Sequence, residues 1–291
     1  MLTNKHIVLL GGDARQIEII HKLSSLDAQL TLVGFDQLND GYIGATKEAI
    51  EHVDWSKTDA IILPVSGMSV DGHIDTIFSN EPIIFKEEFL LETPEHCVIY
   101  TGISNESLDS IVTSCDRSLV KLMERDDVAI YNSIPTAEGT VMMAIQHTDM
   151  TVHRSNVAVL GLGRIGMSLA RTFAALGANV KVGANDPAQI ARITEMGMEP
   201  FHTNQIVEHV KDVDIVINTV PSMILTAKVL TGMKLHALII DLASKPGGTD
   251  FRFAEKRGIK ALLAPGLPGI VAPKTAGQIL AAVLADLLAE D

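Results

Sequence analysis

Residues 157–166, Val-Ala-Val-Leu-Gly-Leu-Gly-Arg-Ile-Gly, constrain the fold of this chain more than any other stretch. A short apolar run leads into three glycines spaced G-x-G-x-x-G, and an amphipathic segment follows, closed by Gly177. That is a strand, a tight turn and a helix. In a dinucleotide-binding unit Gly161 makes the turn and Gly163 lets the backbone approach a pyrophosphate. Gly166 lets the helix pack close on its strand, while the amino end of the helix offers N–H groups and partial positive charge to the phosphates. The flanking strand and helix separate the motif from a chance glycine triplet. Gly161, Leu162, Gly163, Arg164, Ile165 and Gly166 are therefore expected at a coenzyme.

Apolar runs of strand length alternate with helix-length amphipathic segments on both sides of the motif, the pattern of parallel sheets covered by helices. In the first half, strands are expected at 6–10, 30–35, 60–63, 98–101 and 128–131, which predicts a flavodoxin-like sheet. In the second half they are expected at 157–160, 180–182, 199–201, 215–218, 238–241 and 261–263, the Rossmann pattern. The fold class is α/β, with two doubly wound parallel-sheet domains, the first flavodoxin-like and the second an NAD(P)-binding Rossmann domain. Residues 136–147, apolar at helical spacing and introduced by Pro135, are expected to run as a helix from one domain to the other, with Glu138 in the first turn. Residues 153–156 form the expected hinge. After Pro265, Pro268 and Pro273, an Ala- and Leu-rich helix at 275–288 is expected to return to the first domain. The domains so drawn are 1–152 with 273–291, and 153–272. A cleft is expected between them, where open α/β sheets take ligands beyond the carboxyl ends of their strands.

A chain of 291 residues is long enough for two domains with separate cores, and 47% hydrophobic with 20% charged residues is a globular composition. No apolar run approaches the roughly 20 residues that cross a bilayer. The opening segment is too short for a signal peptide, turning at Gly11-Gly12-Asp13. A cytoplasmic protein with no membrane partner is expected. A formal charge of -13 without a cluster of Lys and Arg argues against a nucleic-acid partner, and none is expected. Cys97 and Cys115 support neither a disulfide framework nor a metal site, and the histidines include no paired-ligand motif, so no metal is expected.

Coenzyme type is read at the end of the second Rossmann strand, Val180-Lys-Val-Gly183-Ala-Asn185-Asp186-Pro187. An Asp or Glu there accepts the ribose 2′-hydroxyl of NAD. Gly183, taken as that position, removes a repulsion and suits the 2′-phosphate of NADP, with Asn185, Lys181 and Arg192 as contacts. A shift of alignment by a few residues makes Asp186 the NAD-type acid. NADP is expected, with NAD as the alternative. Thr219, Val220 and Pro221, and Asp241 and Ala243, follow later strands and are further candidates for coenzyme contact.

Four further stretches stand in order around the glycine fingerprint: Asn132-Ser-Ile-Pro135-Thr-Ala-Glu138-Gly, Asn218-Thr-Val-Pro221-Ser-Met, Asp241-Leu-Ala-Ser-Lys245-Pro-Gly-Gly248-Thr-Asp250, and Ala264-Pro-Gly-Leu-Pro-Gly269-Ile-Val-Ala-Pro-Lys274-Thr-Ala276. Together with the fingerprint they resemble the dipicolinate synthase A-subunit family, over essentially the whole chain. The last two are the most specific. The resemblance implies oxidation of dihydrodipicolinate to the aromatic pyridine diacid with NADP as acceptor, in the mother cell of a sporulating bacterium. It also implies a partner, the flavoprotein-like B subunit, and a homo-oligomer is expected. The chain departs from the family at Asp186, where a basic or hydroxyl residue is expected.

A dihydropyridine dicarboxylate gives up a hydride and a proton, and aromatisation drives the step. The protein must hold two carboxylates and stack the ring on the coenzyme. Cations in loops at strand ends are candidates for the carboxylates: Arg15, Lys245 and Lys274. Glu138 and Asp13 are candidate proton acceptors, and Lys245 is also a candidate in the chemistry. Ser66, Thr101, Asn132 and Ser133 are read as ending strands of the first domain, where they can hydrogen-bond substrate. The bland alternatives are solvated cations, an acid complementing a helix dipole, and ordinary turn chemistry. Two rival functions are a D-2-hydroxyacid-dehydrogenase-like oxidoreductase and a non-catalytic dinucleotide-binding regulatory subunit. The first requires a histidine acid before the final helix, and residues 264–269 have none.

Overall fold

The computed structural model describes residues 1–39 and 41–290. The chain divides into two compact units, Met1–Tyr131 with Ala272–Asp291, and Asn132–Val271.

The first unit holds β1 (His6–Leu10), β2 (Gln29–Val33), β3 (Ala45–Lys47), β4 (Ala60–Ile62), the small antiparallel pair β5 (His73–Ile74) and β6 (Ile83–Ile84), β7 (Val98–Thr101) and β8 (Ser118–Lys121). Its parallel sheet has the order β3-β2-β1-β4-β7-β8. Strands β2-β1-β4-β7-β8 are the flavodoxin-like order, and β3 extends the edge beyond β2. Alternate residues supply two cores, because both faces of a parallel sheet must be covered. Ile7, Leu9, Leu30, Leu32 and Ile62 pack with Ile19, Ile20 and Leu23 of helix α1 (Arg15–Ser24) and with Leu280, Leu284 and Leu288 of the C-terminal helix (Pro273–Glu290). Val8, Leu10, Val33, Ile61 and Ile99 pack with Trp55, Phe85 and residues of α2 (Glu87–Glu92) and α3 (Glu106–Ser114) on the other face. The C-terminal helix thus returns to this unit as expected. It approaches so closely that a Cβ on Gly277 would lie 2.5 Å from the Arg15 carbonyl oxygen.

The expected strand at 128–131 is helix instead, part of the 22-residue α4 (Asp126–His147). Val128 is fully buried while Ile130 and Tyr131 are more than half exposed. The apolar run therefore turns one side inward per helical turn and does not alternate. Asp126 and Asp127 supply the acidic first turn that complements the helix dipole. Pro135 lies inside the helix, nine residues after its start, so Thr136 and Glu138 are not in a first turn. Thr136 Oγ1 donates to the Asn132 carbonyl at 2.7 Å, and Thr140 Oγ1 to that of Thr136 at 2.8 Å. The real strand, β8, escaped detection because it carries only two apolar residues, both part-buried.

The second unit holds β9 (Asn156–Leu160), β10 (Asn179–Ala184), β11 (Glu199–His202), β12 (Ile215–Asn218), β13 (Leu238–Asp241) and β14 (Lys260–Leu263), all parallel in the order β11-β10-β9-β12-β13-β14. This is the Rossmann order expected. Helices α5 (Arg164–Ala175), α6 (Pro187–Glu195), α7 (Ile206–His209), α8 (Ala227–Gly232), α9 (Phe251–Arg257) and α10 (Leu267–Val271) connect the strands or follow them.

The two sheets repeat one plan, down to a shared staple at the amino edge. Asp59 Oδ2 accepts the His6 N–H at 2.7 Å, and Asp214 Oδ2 accepts the Asn156 N–H at 2.9 Å. A histidine two residues before the next strand approaches each carboxylate, His96 at 2.8 Å and His236 at 3.6 Å. Cys97 and Cys115 are buried free thiols, and burial pushes Cys97 up to about 11. Among the described residues no helix is long and apolar enough to cross a membrane, and no group of three His, Cys, Asp or Glu side chains could hold a metal.

Candidate functional site

β9 ends at Leu160 and the chain turns on Gly161 at φ +92°. A Cβ on Gly161 would lie 2.6 Å from Thr219 Oγ1, and one on Gly166 would lie 2.0 Å from the Gly161 carbonyl oxygen. Both positions need glycine for internal packing. Gly163 is different, since a Cβ there would meet nothing within 4 Å. It is the N-cap of α5 and, as glycine, brings no side chain of its own to that helix end, whose partial positive charge favours an anion. Open space and a bare glycine at the amino end of a helix together fit a pyrophosphate. Leu162 is buried and Ile165 half-buried, both packed in the core, so they can offer only backbone to a ligand. Arg164 is exposed.

The neighbouring loops are fixed by a buried polar network that sequence reasoning missed. Asp241 and Asn218 end adjacent strands and are fully buried. Asp241 Oδ1 accepts Asn218 Nδ2 at 3.0 Å and the Ala243 N–H at 3.1 Å, while Oδ2 accepts the Gly248 N–H at 2.9 Å and Thr249 Oγ1 at 2.5 Å. Asn218 turns to its own loop, exchanging bonds with Val220 N and O at 3.0 Å. A Cβ on Gly248 would stand 2.5 Å from Asn218 Nδ2, which explains the glycine there. Asp241 was expected to meet the coenzyme, but both its oxygens are committed to the loop at 243–249. It positions that loop, and with it Lys245, which is exposed before a cis peptide bond to Pro246. Thr219 Oγ1 donates to the Leu160 carbonyl at 2.8 Å, which sets Thr219 and Val220 against the glycine turn, and Pro221 is exposed.

β10 runs to Ala184, so Gly183 is not its last residue. Gly183 is a packing position instead: a Cβ there would lie 2.8 Å from the Phe201 ring. Asn185 and Asp186 follow the strand end. Lys181, expected to serve a 2′-phosphate, lies between Glu199 and Asp212, each at 3.7 Å, toward the amino edge of the sheet. Arg192 pairs with Glu195 at 2.9 Å in the second turn of α6.

The corresponding loop of the first unit is built differently. Counting from the strand ends Leu10 and Leu160, Gly11 matches Gly161, Asp13 matches Gly163 and Gln16 matches Gly166. Gln16 is buried beneath Gly12, with Nε2 unpartnered. The Asp13 carboxylate takes the place that Gly163 leaves open. Its Oδ1 accepts the Arg15 N–H at 3.0 Å and Nε at 2.9 Å, and its Oδ2 accepts Nη2 at 2.6 Å. Burial pushes the Asp13 carboxyl up, but the side-chain and backbone bonds from Arg15 outweigh it and hold the group below its ordinary value. Asp13 is thereby a poor proton acceptor. Arg15 Nη1 makes no hydrogen bond among the described residues.

The remaining candidates are scattered. Ser66 is exposed in a turn in which Gly67 N–H donates to the Pro64 carbonyl. Thr101 is fully buried and its hydroxyl donates to the Ile103 carbonyl at 2.8 Å. Asn132 and Ser133 do not end a strand, because they are buried in α4, with Ser133 Oγ 2.6 Å from Ser168 Oγ of α5. Glu138 is exposed in the middle of α4 and Lys274 is exposed in the first turn of the C-terminal helix. In the first unit the structure brings Asp13 and Arg15 together, and in the second the glycine loop with Thr219 and Val220.

Two family models match the chain: the N-terminal domain of the dipicolinate synthase A subunit over residues 6–123, and the alanine dehydrogenase/PNT C-terminal domain over residues 130–290. The dipicolinate synthase A subunit of Bacillus subtilis (strain 168) is 64% identical over 290 residues, covering 100% of this chain and 98% of that protein. The crystal structure of the dipicolinate synthase A subunit from Bacillus halodurans is 66% identical, with a TM-score of 0.99 and 100% of both chains covered. A transhydrogenase from Sinorhizobium meliloti shares the fold at 16% identity, with a TM-score of 0.67 over 97% of this chain and 94% of that one.

Proposed function

The chain belongs to the dipicolinate synthase A-subunit family, and from that premise we propose that it oxidises dihydrodipicolinate to pyridine-2,6-dicarboxylate with a nicotinamide dinucleotide as acceptor. The observation that carries the proposal is the loop at 160–166. Gly163 there faces open space at the amino end of α5, while Gly161 and Gly166 are consumed by packing. The resemblance implies NADP, with NAD as the alternative, and the choice falls to the residues after β10. It also implies action beside a B subunit in the mother cell of a sporulating bacterium.

A bound nicotinamide supplies a two-electron acceptor, and the dihydropyridine loses one hydride and one proton as it becomes aromatic. The chain's own residues then have four tasks. Arg15 pairs with one substrate carboxylate through its unused Nη1 edge, since a guanidinium fork matches a carboxylate. Asp13 acts on Arg15, holding the Nε–Nη2 edge so that the fork is fixed before substrate arrives. Lys245, presented by the loop that Asp241 ties down, is the second unit's own candidate for a substrate carboxylate. Glu138, exposed and without an ion pair among the described residues, is the proton acceptor, a task that Asp13 cannot share while it is paired with Arg15.

The test is to supply the purified chain with NADP or NAD and with dihydrodipicolinate generated in situ, with and without a B subunit, while following reduced nicotinamide. Reduction supports the proposal and identifies the subunits needed. Tight coenzyme binding without turnover in any arm favours the regulatory reading.

A further inference from the structure

We infer that Asp186 selects the coenzyme of this chain and makes NAD the more tightly bound dinucleotide. The inference rests on the reading of the 160–166 loop as the coenzyme seat. In a doubly wound sheet the ribose next to that seat lies at the end of the second strand, here Ala184 and the two residues after it.

Several observations converge on those residues. The strand ends on Ala184, buried and apolar, so no acid stands on the strand itself. The first turn of α6 has no backbone donor left for a phosphate. Pro187 has no N–H, and the N–H groups of Ala188 and Gln189 both donate to Asp186 Oδ1, at 2.9 and 3.0 Å. Asn185 Oδ1 accepts Thr203 N–H at 3.1 Å and Thr203 Oγ1 at 2.8 Å, leaving Asn185 its neutral amide donor. Lys181 lies with Glu199 and Asp212 toward the other edge of the sheet, and Arg192 is engaged by Glu195. His202, exposed on β11, is the register partner of Ala184.

A 2′-phosphate brought to this strand end meets the Asp186 carboxylate and a helix end whose donors are taken, while Lys181 and Arg192, the cations expected to serve it, are each paired with carboxylates. A ribose 2′-hydroxyl meets Asp186 Oδ2, which makes no hydrogen bond among the described residues and is an acceptor by nature. The same carboxylate thus repels one coenzyme and bonds the other.

The experiment is calorimetric titration of the full chain with NAD and with NADP at pH 8, above the ordinary imidazole range, for the parent, Asp186→Asn, and a double variant Asn185→Arg with Asp186→Ser. Asparagine and serine cap helices about as well as aspartate, so the fold is kept, and thermal melts check this. The parent is expected to bind NAD about tenfold or more tighter than NADP, the effect of one unfavourable charge contact. Asp186→Asn is expected to close most of that gap by improving NADP, and the double variant to reverse it. A parent that binds NADP as tightly as NAD, or an unchanged ratio in Asp186→Asn, overturns the inference. Binding of neither dinucleotide overturns the coenzyme seat and the inference together. Preference for NAD without turnover of dihydrodipicolinate supports the inference and sinks the proposed reaction alone.

Discussion

Asp13 grips Arg15 across the amino end of α1, with Nη2 2.6 Å from Oδ2 and the Arg15 N–H 3.0 Å from Oδ1. The carboxylate occupies the position that Gly163 leaves open in the second unit. One sheet plan therefore serves two ends: an open helix terminus in one unit, and in the other a terminus closed by the chain's own anion, with a guanidinium attached.

If Arg15 and Lys245 hold the substrate carboxylates, Arg15→Ala and Lys245→Ala each weaken dipicolinate binding by about tenfold or more, the scale of one lost charge-assisted contact. Coenzyme affinity stays close to that of the parent. Calorimetry with each ligand checks both halves, and unchanged diacid affinity in the two variants removes them from the site.

Gly163 and Gly166 separate packing from binding. Gly166→Ala forces a Cβ to 2.0 Å from the Gly161 carbonyl oxygen, and a loss of about 2 kcal/mol or more is expected from such overpacking. Gly163→Ala meets no protein atom within 4 Å. It is expected to leave the melting temperature nearly unchanged while weakening dinucleotide binding, because its methyl group enters the space given to the pyrophosphate.

Removing the Asp241 carboxylate takes the buried acceptor from one N–H of Asn218 Nδ2, from the Ala243 and Gly248 N–H groups and from Thr249 Oγ1. Asp241→Ala is expected to destabilise the chain by about 3 kcal/mol or more, the cost of unsatisfied buried donors, as read by denaturant unfolding. It should also weaken diacid binding through the loop that carries Lys245. A variant as stable as the parent contradicts the network's role.

The staple at Asp214 makes stability fall in acid. Burial raises that carboxyl, but the Asn156 N–H and Lys234 outweigh it, so the folded value lies below the ordinary 3.8. The contribution is complete above the unfolded value and is lost as pH falls through the lower, folded one. Asp214→Asn is expected to be less stable than the parent by about 1 kcal/mol at neutral pH, with the difference shrinking as pH falls below the ordinary carboxylate range. Denaturant curves across that range check it, and a pH-independent difference contradicts it.

Most of the second unit was legible because β9, β12 and β13 are near-continuous apolar runs and its turn carries a glycine fingerprint with a physical reason at each position. The last helix was legible in its Ala and Leu face, and its return in its place after the sixth Rossmann strand. The first unit misled at 128–131, where β-branched and aromatic residues imitate a strand but Asp126-Asp127 open a helix, and at Pro135, which imitates a helix start from inside one. The Asn218–Asp241 network was illegible because its partners meet only when two strand ends come side by side. The pairing of Asp13 with Arg15, two residues apart, was within reach, and reading the two residues as separate catalytic and binding groups hid it.

The most direct measurement of the proposed reaction uses dihydrodipicolinate deuterated at its ring carbons, supplied to the chain with oxidised coenzyme, with the B subunit present in a parallel arm. Mass spectrometry of the recovered coenzyme is expected to find one deuterium in the reduced nicotinamide for each pyridine diacid formed. Pyridine diacid formed with no deuterium in the nicotinamide, and coenzyme left oxidised, would contradict hydride transfer by this chain.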